Sequence, residues 1–68
     1  MSPARQEVLD ALLELEREVD WLPSVREIAA RAGKSPSVTH GHLRVLVATG
    51  YVSQVHRSAS QVAFVSAA

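Results

Sequence analysis

No cysteine occurs among the 68 residues, so neither a disulfide nor a thiolate metal site can stabilise this chain. Proline and glycine are scarce as well, three of each, too few for a linker. No apolar run exceeds a few residues, far short of the roughly 20 that cross a bilayer, and residues 1–20 are rich in Glu and Asp, so neither a membrane span nor a signal peptide is readable. A cytoplasmic protein with no membrane partner is expected. Excess charge of either sign is missing too, with seven Lys and Arg against seven Asp and Glu. Length completes the exclusions: 68 residues hold one small domain (1–68), without room for the layers and cleft that most enzymes need. What is present is 47% hydrophobic and 21% charged, a composition that folds rather than remaining disordered.

The neutral total conceals an asymmetry. Residues 1–20 carry Arg5 and Arg17 against Glu7, Asp10, Glu14, Glu16, Glu18 and Asp20, a net −4, while residues 21–68 carry Arg26, Arg31, Lys34, Arg44 and Arg57 against Glu27, a net +4. His40, His42 and His56 lie in the positive part. A polyanion could therefore meet one face while the acidic one points away.

Ser2-Pro3 is an N-cap and first-turn pair, and Val8, Leu9, Leu12, Leu13, Leu15 and Val19 recur at three- and four-residue steps, which predicts a helix over Pro3–Glu18. Trp21-Leu22-Pro23 breaks the period because proline drives the preceding residue to extended backbone; Trp21 is expected in the core, closing the first helix against the C-terminal segment. Ser24 and Glu27, three apart, form a capping box ahead of a short helix over Val25–Ala32 that Gly33 closes. Ser35-Pro36 starts a third helix over Pro36–Thr49, with Gly50 as its stop. At roughly 100° per residue, Thr39, Leu43 and Leu46 share its core face, Ser37, Gly41, Arg44 and Ala48 lie opposite, and His40 sits at the edge. Tyr51–His56 and Gln61–Val65 read as strands joined by a turn over residues 57–60, and Ser66-Ala67-Ala68 as a frayed end.

A short helix, a three-residue turn containing glycine, a longer helix and a β-hairpin is the order of a winged helix-turn-helix: three helices plus a C-terminal β-hairpin, mainly α with a small β-sheet. The residues resemble those of the LexA repressor DNA-binding domain over nearly the whole chain. The likeness lies in Ala4-Arg5-Gln6-Glu7-Val8, Pro23-Ser24 leading to Glu27-Ile28-Ala29 with Arg31 and Gly33, Ser35-Pro36 leading to His42-Leu43 and Leu46, and Gly50 before the hairpin. Spacings agree apart from one fewer residue between Gly33 and Ser35. The resemblance implies base reading from the start of the third helix, at Ser35, Ser37, Val38, His40 and Gly41. Where that family has an amide and two adjacent acids, this chain has Ser37, His40 and Gly41, so its operator does not carry over. Nothing here corresponds to the family's self-cleaving C-terminal domain, which leaves a stand-alone regulator or the DNA-binding part of a longer protein.

Each candidate residue has a plain alternative. Arg44 can reach a phosphate or a guanine edge, or only face water. His40 can donate to a base or a phosphate, or be solvated. Val38 can meet a thymine methyl, yet Val45 shares its side, so burial within the domain competes. Gly41 costs about 1 kcal/mol in a helix interior, either as a tolerated defect or because a bare backbone lies closer to DNA. Ser24 and Ser35 are caps whose helix starts also attract phosphate. Arg57, in a wing over residues 56–60, suits a phosphate or the minor groove, or solvent.

Catalysis and metal binding find little support. His40 and His42 diverge by about 200° on a helix, no cysteine or suitably spaced carboxylate joins them, and Lys34, the single lysine, lies in a turn. His42 is expected to be packed or half-buried. No enzyme activity, cofactor or metal is expected. The reading is a sequence-specific regulator of transcription, most simply a repressor, binding double-stranded DNA as a possible homodimer; the alternative is a winged-helix module with a protein partner, such as polymerase or another regulator.

Overall fold

A computed structural model describes residues 1–58 and 61–67, without the side chains of Arg57, Ser58 and Gln61. Helices α1 (Pro3–Glu18), α2 (Val25–Ala32) and α3 (Pro36–Ala48) are followed by strands β1 (Val52–Ser58) and β2 (Gln61–Ser66). Each helix begins on a serine whose hydroxyl accepts from a backbone N–H three residues on: Ser2 from Arg5, Ser24 from Glu27 and Ser35 from Val38. The Ser24 box is reciprocal, since its own N–H donates to Glu27 Oε1 at 3.0 Å. Gly33 and Gly50 adopt left-handed backbone, φ 71° and 86°, and close α2 and α3. At the second closure the Tyr51 and Gly50 N–H groups return to Leu46 and Val47 carbonyls at 3.0 and 3.1 Å, so the chain turns sharply out of α3 into the hairpin.

The strands form an antiparallel pair from Val52↔Ser66 to His56↔Val62, with a register shift between His56 and Ser58 where β1 holds one extra residue. The expected hairpin is present with shifted ends. β1 starts at Val52 and absorbs residues 57 and 58 of the expected turn, because the bulge keeps the backbone paired further out. Thr49 caps α3 rather than extending it. Ser66 and Ala67 are not frayed: the Ser66 N–H donates to Glu16 Oε2 at 2.9 Å and the Ala67 N–H to the Tyr51 carbonyl at 3.1 Å. Ala68, the third residue of that expected frayed end, lies outside the described residues.

All five elements contribute to one core. Val8, Leu9, Ala11, Leu12 and Leu15 of α1 meet Ile28 of α2, Leu43 and Leu46 of α3, Val52 of β1 and Phe64 of β2. Trp21 departs from expectation. It is 55% exposed, and Pro23 is the fully buried residue of that connector. The Trp21 indole N–H instead donates to Glu27 Oε2 at 3.1 Å.

Three ion pairs fasten α1 to the helix-turn-helix. Arg31 reaches Glu14 at 3.3 Å and also Glu18, and Lys34 reaches Glu7 at 2.8 Å. The hydrogen bond from Arg31 holds the Glu18 carboxyl below its ordinary value of 4.5 and raises the guanidinium. A depressed carboxyl contributes stability that is present above about pH 4.5 and lost as pH falls through the lower folded value.

Two outcomes follow from this packing. Replacing Phe64 by Ala should cost about 3–5 kcal/mol, most of the stability of a domain this small, measured by urea unfolding. Replacing Arg31 by Gln should flatten the acid limb: the variant's thermal midpoint should fall less than the wild type's between pH 6 and 3.

Candidate nucleic-acid interface

α3 has two unlike sides. Thr39, Leu43 and Leu46 are fully buried, whereas Ser37, Val38, His40, Gly41, Arg44, Val45 and Ala48 are exposed. The expected division of the helix is therefore present. Val38, left between two roles by its sequence, is 51% exposed and Val45 37%, so neither is taken up by the domain's own packing. His42 is half-buried.

Gly41 is open on its outer side. A Cβ built there would meet nothing within 4 Å, so no contact inside the chain requires glycine. Arg44 pairs with no carboxylate among the described residues. His40 is not simply solvated: its ring stands edge-on to Phe64, centroids 5.9 Å apart and planes at 76°. That contact links the outward part of α3 to β2, and it joins residues 24 apart in sequence that no local pattern connects.

The two serine caps differ in what they leave open. At α2 the Ser24 hydroxyl and N–H are both used within the capping box, and the Glu27 carboxylate already occupies the positive helix end. A phosphate would meet an anion there. At α3, Ser35 is exposed and no acidic residue lies in the first turn, so this end keeps its attraction for an anion. Arg57 falls in the bulged part of β1, but its side chain lies outside the described residues, as do Ala59 and Ser60 of the wing.

The charge asymmetry works differently from its sequence reading. Two of the five cations in residues 21–68, Arg31 and Lys34, face α1 and are neutralised by its acids. Sequence reasoning missed this because the partners are 13 to 27 residues apart. Among the described residues, no group of three or more His, Asp or Glu could hold a metal ion, and no helix is long and apolar enough to cross a membrane.

Comparison with known proteins agrees with this geometry. The family model of the IclR helix-turn-helix domain matches residues 7–56, which take in most of α1, all of α2 and α3, and the first five residues of β1. The crystal structure of a candidate DNA-binding protein from Ralstonia eutropha JMP134 is similar at a TM-score of 0.78 and 28% identity, over 97% of this chain and 83% of that one. None of the curated proteins matches.

Because Gly41 has open space outward and helical backbone, Gly41→Ala should raise unfolding free energy by about 1 kcal/mol through helix propensity alone. Chemical denaturation checks this; a loss of stability would mean that the chain itself requires glycine there.

Proposed function

The chain belongs to the IclR helix-turn-helix domain family, and on that premise we propose that it is a repressor that sets α3 in the major groove of an operator and blocks transcription from it. That it is a DNA-binding transcription regulator with a winged helix-turn-helix follows from the family and the fold together. The single observation that carries the groove assignment is the two-sidedness of α3. Its inner face is consumed by the core, so the outer face with Ser37, Val38, His40, Gly41 and Arg44 is exposed.

The resemblance to the LexA repressor DNA-binding domain supports the same use of the helix start. Ser35 lies where the helix end attracts phosphate, Ser37 and His40 present donors to base edges, and Arg44, one turn further, takes a phosphate. A single module of this size covers about 600–1,000 Å² on DNA, which is small for specificity, so the regulator acts as a homodimer on paired half-sites. It works in the cytoplasm by binding alone, with no cofactor and no reaction catalysed.

Salt dependence tests the reading. Each neutralised phosphate contributes about −0.9 to the slope of log K against log salt. Duplex affinity should fall steeply with salt, and Arg44→Ala should lower the slope by about 1 while weakening selected and scrambled DNA alike. If the folded protein binds no duplex at low salt, a protein-interaction module takes this reading's place.

A further inference from the structure

The outward side of α3 is unusual in what it offers to a base edge. α3 contains no Asn, Gln, Lys, Asp or Glu, so most side chains that pair with bases in the major groove are missing from the reading helix. Arg44 alone has a bidentate fork, and it stands nine residues from the cap. In their place are two exposed valines. Val38 and Val45 are seven residues apart and so point within about 20° of each other. Gly41 lies between them with open space above its backbone. Exposed valine is a poor choice for a helix surface on propensity and on hydration, and the core does not use either residue. One base carries an apolar group on its major-groove edge: thymine, through its 5-methyl.

We propose that this helix reads thymine methyl groups: Val38, in the first turn, contacts the 5-methyl of a thymine in the operator, Gly41 lets the backbone approach closely enough for that contact, and Val45 continues the apolar track. At 1.5 Å per residue the two valines are about 10 Å apart along the helix, close to three base-pair steps. The operator therefore carries thymine opposite the start of α3, and at that base pair its methyl group is what Val38 distinguishes. This rests on the regulator reading above and deepens it, since it names the chemical group recognised at that same interface.

The test uses duplexes selected for tight binding from a random pool, remade with deoxyuridine in place of thymidine. Removing one contacted methyl should weaken wild-type binding about fourfold. Changing that T·A pair to C·G should weaken binding more, and 5-methylcytosine at the same position should restore part of the loss. Val38→Ala, at an exposed position and with an unchanged thermal midpoint, should bind thymidine and deoxyuridine duplexes equally. If the wild type selects a sequence yet binds both forms with the same affinity, or if Val38→Ala keeps the full discrimination, the inference is overturned while the regulator reading stands. If no duplex is bound by the folded protein, both fall together.

Discussion

Leu43 and Leu46, with Thr39 one turn before them, sit in a core to which every described element contributes. Their burial fixes the rotation of α3 about its own axis, because the residues lie on one side of the helix and have nowhere else to go. Once that side faces α1, the opposite side must face solvent. The exposure of Ser37, Val38, Gly41 and Arg44, the direction of the hairpin after Gly50 and the contact of His40 with Phe64 all follow from that rotation. Among the described residues there is no second core to hold the helix another way.

Charge plays a supporting part. The acids of α1 do not simply form a face turned from a polyanion; Glu7, Glu14 and Glu18 grip Lys34 and Arg31, and Glu16 holds the end of β2. These half-exposed pairs are weak individually. Their consequence is placement: cations near the turn are directed inward, and α3 is left with Arg44 as its one permanent positive charge. The exposed side of α3 therefore combines this single arginine with the small polar Ser37, the His40 ring, two valines and the bare backbone at Gly41.

The winged helix-turn-helix was legible in the sequence because its determinants are local. Serine caps at Ser2, Ser24 and Ser35 and the positive-φ stops at Gly33 and Gly50 act within a single turn of chain, and the apolar spacing of Val8 to Leu15 and of Leu43 to Leu46 selects a helix face at short range. Those features set the number, order and boundaries of the helices to within a residue, and they set which side of α3 is apolar. The hairpin ends were less legible, since strand pairing and its bulge depend on a partner strand.

Tertiary structure decided the rest. Pro23 rather than Trp21 is the buried residue of the connector, and the indole goes to Glu27, six residues on. Arg31 and Lys34 turn inward to acids 13 to 27 residues away, and His40 finds Phe64 across 24 residues of sequence. Val38 could have been core or surface by its periodicity alone; only the packed domain leaves it bare. The physical reason is common to all four. Caps and periodicity act through the backbone within a few residues, whereas the partner of a charge, an aromatic ring or a borderline apolar side chain is settled by which distant surfaces the core brings together.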